Sequence, residues 1–180
     1  MPAVAIVNLL MMLFAPEVVA IFAPKEYYDA IWIVPPVTAS VFLLFMYNFF
    51  ADFEFYYEKT TFIMAASVLG AVFNIALNAI FIPRYGYFAA GYTTLLCYAI
   101  YIVGHYYFMR RINKTIIGEK VYKGKIIFAI TIIFLICTFG ILYLYGKSMI
   151  WRYLAGILIA IICFIYRKRI MDTMKSLKKK

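Results

Sequence analysis

In a chain this apolar, chemistry must come from the few polar side chains kept inside its hydrophobic runs, and the first is Glu17, directly after Pro16. A carboxylate held deep in a membrane helix costs roughly 2.5–3.5 kcal/mol on insertion scales, so it must face protein or water, or carry a proton. Glu17 also lies close to the break at Ala23, and a helix kinked at Pro16 would lift it to the headgroups at small cost. Both uses stay open. Asn8 lies nine residues earlier, on nearly the opposite face of a straight helix, so the two are not expected to share a cavity. A second group is Ser67, Gly70, Asn74 and Asn78, whose offsets of three and four place them on one helix face. A polar stripe cannot face lipid cheaply; it either hydrogen-bonds a neighbouring helix or lines a transport path, and small and amide residues are the ordinary means of helix packing. The next run continues the theme with Ala90, Thr94, Cys97, Tyr101 and Gly104, so these two helices are expected to form a tight hairpin.

The other reactive residue types form no constellation. Cys97, Cys137 and Cys163 each sit inside an apolar run without CxxC or Cys/His spacing, which points to small packing residues rather than to a disulfide framework or a metal site. His105, the single histidine, stands beside Tyr106 and Tyr107; a pH switch would need a partner that the sequence does not identify, and an interfacial position is expected. Asp52, Glu54 and Glu58 are interleaved with Phe53, Phe55, Tyr56 and Tyr57 and read as a short interfacial loop. There is no Ser/His/Asp set, no pair of carboxylates on a polar loop and no phosphate-cradling glycine loop. Neither an enzyme nor a cofactor is expected.

The elements that must hold these residues follow from composition. Hydrophobic residues make up 67% of the 180 and charged residues only 14%, too little to wet the surface of a soluble domain. An apolar run of about 20 residues crosses the roughly 30 Å hydrocarbon layer as a helix. Six such runs are predicted, at residues 3–22, 31–51, 61–82, 87–108, 126–146 and 149–166, giving one all-α, polytopic transmembrane helix bundle with a basic loop at 109–125 and a basic tail at 167–180. Helices rather than barrel strands are expected, because the runs are long and do not alternate. The first run has no basic stretch before it and no small-residue cleavage pattern after it, so it is expected to be retained rather than removed as a signal peptide.

The net charge of +10 would suit nucleic-acid binding, but the basic residues lie between and after the apolar runs, and membrane orientation explains them better. Fourteen of the 18 Lys and Arg fall after the second, fourth and sixth runs, and only Lys25, Arg84, Lys147 and Arg152 fall on the other side. The positive-inside rule then predicts that both termini and the 109–125 loop are cytoplasmic, with the turns at 24–29 and 83–88 outside. Arg152 is expected to snorkel beside Trp151 at the interface. Tyr27, Tyr28, Trp32, Tyr56, Tyr57, Tyr85, Tyr87, Tyr106 and Tyr107 gather near run ends as an interfacial belt, with sugar stacking as the functional alternative for a few. The basic loop and tail could also bind anionic lipid.

The stretch NIALNAIFIPRYGYFAAGYTT, residues 74–94, closely resembles the signature helix pair of bacterial polysaccharide flippases, exporters of lipid-linked oligosaccharides such as O-antigen units. They belong to the multidrug/oligosaccharidyl-lipid/polysaccharide, or MATE-like, superfamily. Asn74, Asn78, Ile82, Pro83, Gly86, Ala90 and Thr94 fall where that pattern has them. The stretch APEVVAIFAPKEYYDAIWIVPPV, residues 15–37, looks like the family's preceding helix and turn, and Glu58, Lys59 and Thr60 resemble its cytoplasmic turn. The matches cover roughly residues 12–114. Two departures stand out: Ala89, Ala90 and Gly91 where the family usually has Gly followed by Ala-Ala, and Thr93 in place of a common alanine.

The resemblance implies the last six spans of a fourteen-span carrier in a bacterial cytoplasmic membrane, working by alternating access on an undecaprenyl-type lipid-linked oligosaccharide. It implies a missing N-terminal half, or a partner subunit, without which the chain is expected not to flip lipid, since its own spans offer no clear central Arg or Lys. Asn74, Asn78 and possible path residue Glu17 would then lie near one wall of the cavity. Two alternatives remain. A drug or cation antiporter of the same superfamily would need buried carboxylates, of which Glu17 is the candidate in the sequence. A non-transporting accessory subunit of a polysaccharide assembly complex would need none.

Overall fold

In the computed structural model, residues 2–116 and 124–165 are described, and they form six α-helices and one 3₁₀ segment. The helices are α1 (Pro2–Phe22), α2 (Val34–Tyr56), α3 (Thr60–Tyr85), α4 (Phe88–Ile116), α5 (Gly124–Tyr145) and α6 (Met149–Ile165), with the 3₁₀ segment Lys25–Trp32 between α1 and α2. The first five are long and apolar enough to cross a membrane, and α6 is a shorter apolar helix of 17 residues. The predicted all-α bundle of about six spans is the observed fold.

Helix ends differ from hydropathy wherever the chain keeps turning through polar residues. The predicted outer turn at 24–29 is largely the 3₁₀ segment. Pro83 and Arg84, expected in a turn, lie in the last turn of α3. Residues 109–116 of the expected basic loop belong to α4, and Lys125 belongs to α5; Lys120, Lys123 and the 167–180 tail lie outside the described residues. α2 runs five residues beyond its predicted end and takes Asp52 and Glu54 with it. The reason is a Schellman cap: the Lys59 N–H donates to the Glu54 carbonyl at 2.9 Å and the Glu58 N–H to the Phe55 carbonyl at 3.0 Å, with Glu58 left-handed at φ 57°. The second turn with a left-handed residue is at Gly86, φ 69°, which joins α3 to α4 and explains the glycine of the family-like stretch.

α2 is the centre of the bundle. Its buried Ala39, Phe42, Leu43, Met46, Phe50 and Phe53 recur at helical spacing and meet Met12 and Leu13 of α1, Ile102, Met109 and Ile112 of α4, and Ile127, Phe134 and Ile141 of α5. The Phe42 and Phe134 rings lie 3.9 Å apart, centre to centre. α2 and α4 share the most extensive interface. Gly91 makes the approach close at the start of α4, since a Cβ there would fall 2.7 Å from Ile33 Cγ1. This departure from the family pattern therefore has a local use. The buried hydroxyls of Thr131 and Thr138 are satisfied by the carbonyls one turn back, Ile127 and Phe134, at 3.0 Å each. α3 is attached differently: Ile63 is its one buried residue, and it packs chiefly on α4.

Pro16 interrupts α1 without leaving a bare backbone group. Proline has no N–H, so the carbonyl four residues earlier, Met12, loses its helical partner. The Tyr145 hydroxyl of α5 donates to that carbonyl. In hydrocarbon such a replacement is nearly obligatory.

Two substitutions test these assignments by reversible unfolding in detergent or bicelles. Glu58→Gly removes the Cβ from a left-handed position and should stabilise the chain by about 1 kcal/mol. Tyr145→Phe, which keeps the ring and frees the Met12 carbonyl, should destabilise it by about 1 kcal/mol.

Candidate functional site

Three polar clusters interrupt the apolar packing, each joining two helices. The first lies between α3 and α4. The Asn74 amide donates to Cys97 Sγ at 3.4 Å, the Asn78 amide donates to Asn74 Oδ1 at 2.9 Å, and the Thr93 hydroxyl lies 2.6 Å from Asn78 Oδ1. Asn74 and Asn78 are one turn apart on α3, and Thr93 and Cys97 are one turn apart on α4, so the four side chains interlock as a ladder. Further along the seam, the Tyr101 hydroxyl donates to the Ser67 carbonyl at 3.1 Å and its ring lies where a Cβ on Gly70 would be. The stripe on α3 thus meets α4 through these contacts. Thr94 does not join the ladder: its hydroxyl donates to the Ala90 carbonyl of its own helix at 2.7 Å. Thr93 takes that place, and its spacing of four from Cys97 was the signal for it. Pro83 and Gly86 shape the turn between the two helices.

The second cluster joins α1 to α6. Arg152 donates to both Glu17 oxygens, at 2.8 and 3.4 Å, and the Tyr153 hydroxyl donates to Oε1 at 3.0 Å. The guanidinium also lies over the Tyr145 ring, 5.8 Å from its centre. Arg152 is therefore not a snorkelling residue: its side chain is 6% exposed, against 27% for Glu17. Both Glu17 oxygens are thus held by side chains of α6. Asn8 is separate, its amide bonded to the Val4 carbonyl at 2.8 Å.

The third cluster was not expected. His105 Nδ1 lies 2.8 Å from Glu54 Oε2, with the two side chains 1% and 0% exposed. His105 is not interfacial, Glu54 is not in a loop, and Glu17 is not the one acidic residue within a helix. Burial follows from the overhang of α4, which runs eleven residues past His105, about 16 Å, and covers the end of α2. The rings of Tyr47, Phe62 and Tyr101 surround the imidazole at 4.7, 5.2 and 6.1 Å between centres, all nearly edge-on. On the side toward α3, His105 lines a groove of about 450 Å³ whose wall includes Phe62, Gly70, Cys97, Tyr101 and Gly104. The sequence did hold a clue to Glu54, which lies four residues after Phe50 and eight after Met46, in phase with the core face. Of the cysteines, Cys97 is buried and takes part in the ladder, and Cys137 is exposed on α5; the Cys163 side chain lies outside the described residues.

Helices of this length and composition, with polar side chains paired across helices, define a class: the chain is a multi-pass helical membrane protein. Comparison with protein-family models, curated proteins and solved structures found no match.

The unequal burial of the second pair makes a prediction. Glu17→Ala strands a buried guanidinium and should cost about 3 kcal/mol, whereas Arg152→Ala leaves a carboxylate that still reaches Tyr153 and the surface and should cost less. Unfolding free energies of the two variants check the order.

Proposed function

We propose that the chain is the C-terminal part of a MATE-like exporter that flips lipid-linked oligosaccharide repeat units across a bacterial cytoplasmic membrane, as one wall of an alternating-access cavity. The observation that carries this reading is the α3–α4 hairpin. The residues of the flippase-like stretch are the ones that weld it, through Asn74, Asn78 and the turn at Gly86. Its outer helix α3 leaves Met64, Val68, Leu69, Val72 and Ile75 exposed along its length. A helix held firmly on one side and uncovered on the other suits the wall of a bundle that rocks against a second bundle. The partners in this reading are membrane lipid, the undecaprenyl-type substrate and the missing N-terminal half, and both termini are cytoplasmic.

One observation favours a second reading. An antiporter needs buried carboxylates that can exchange ions; Glu17 is held by Arg152, but Glu54 supplies a carboxylate without a fixed cation. Ion-gradient-dependent drug efflux without oligosaccharide flipping would favour that reading.

In vesicles carrying the chain co-expressed with the N-terminal half of such a carrier, Asn74→Ala combined with Asn78→Ala should lower flipping of lipid-linked oligosaccharide by about tenfold, since packing of the wall sets the cavity. Unchanged turnover and assembly would remove the proposal. Cysteine labelling at Lys25 from outside, and at Lys59 only after permeabilisation, checks the orientation.

A further inference from the structure

The Glu54 and His105 pair differs in kind from the other two clusters. The α3–α4 ladder is built on two amides, a hydroxyl and the Cys97 thiol, and the Arg152 guanidinium keeps its proton under all ordinary conditions, so in the second pair only Glu17 can exchange one. Glu54 and His105 both exchange protons, and they share one hydrogen bond in a fully buried site. Glu54 Oε1 has no hydrogen-bond partner among the described residues.

Charge accounting shows what a proton does there. With no exchangeable proton the pair is a carboxylate beside neutral imidazole, net −1. With one it is either an ion pair or an acid beside imidazole, net zero. With two it is imidazolium beside an acid, net +1. A net charge in a low-dielectric interior is strongly unfavourable, so each gain or loss of a proton changes how well α2 and α4 fit together. The bare Oε1 offers a place where an arriving proton or a water molecule gains a partner.

A sealed pair would be only a fixed hydrogen bond, but His105 also lines the groove between α3 and α4. Imidazole has two nitrogens, so with Nδ1 on Glu54 the second nitrogen, Nε2, is left to exchange a proton. We propose that Glu54 and His105 form a proton-binding site, loaded from the α3–α4 groove through the imidazole, whose occupancy sets the packing of α4 on α2. The inference does not depend on which solute the chain carries. The titratable and charged groups around the pair are Tyr47 and Asp52 of α2, Cys97, Tyr98 and Tyr101 of α4, and Lys59, whose backbone N–H caps the Glu54 carbonyl. Asp52 and Lys59 are exposed, and α3 presents Phe62, which has no charge.

The chain has a single histidine, so ¹⁵N-histidine labelling of the whole chain in nanodiscs gives one reporter. Across a pH series the ring nitrogens should pass reversibly between neutral and imidazolium signals in a one-proton transition. Glu54→Gln should displace that transition by at least about tenfold in proton concentration. Gly104→Leu, whose Cβ meets nothing within 4 Å, should narrow the groove and slow proton exchange by about tenfold, leaving the transition in place. A ring that keeps one protonation state throughout overturns the proposal, as does a transition that Glu54→Gln leaves untouched; exchange unaffected by Gly104→Leu overturns the groove route. Should Glu54→Gln fail to assemble, Glu54→Asp shortens the arm while keeping the carboxylate, and the same displacement is required of it.

Discussion

Hydrocarbon offers no hydrogen bonds, so most of the polar groups that this chain carries into its helices find a partner on another helix or in their own backbone. That constraint organises the molecule more than apolar packing does, because lipid tails are as hospitable to Leu and Phe as a protein core is. Asn78 bonds Asn74 and meets Thr93, Glu17 meets Arg152, Glu54 meets His105, and the carbonyl that Pro16 orphans meets Tyr145. Each pairing fixes which helix lies beside which. The apolar residues of α2 then fill the space those ties define.

The ties are distributed unevenly. α1, α2, α4 and α5 form a body around Phe42, Met46 and Phe134, and α6 is joined to it through Arg152. α3 is tied to that body chiefly through α4, by the Asn ladder, the Tyr101 hydroxyl and the aromatic contact of Phe62 with Phe108, whose rings stack at 3.8 Å. A hairpin so built keeps α3 and α4 together while leaving the far face of α3 uncovered. The groove between them runs up to His105, which places the buried acid and base next to this hairpin.

Much of the fold was legible because membrane helices announce themselves by length and composition, and the stripe of Ser67, Gly70, Asn74 and Asn78 marks a tight hairpin by type and spacing. Helix ends were less legible. Hydropathy stops at charge, and α2 does not: Glu54 is tolerated because its side chain points inward, and the backbone closes through Glu58 in a conformation that ordinarily belongs to glycine.

By itself the sequence determined an all-α bundle of about six spans and the α3–α4 hairpin. The family resemblance and the orientation rest on motif and charge distribution. Only the tertiary structure decided the partners: that Glu17 belongs to Arg152, 135 residues away, that Thr93 and not Thr94 completes the ladder, and that His105 is buried against Glu54, 51 residues away. Spacing within a helix reveals which face a residue shares. Which other helix that face meets depends on how all six pack, and no local pattern encodes it.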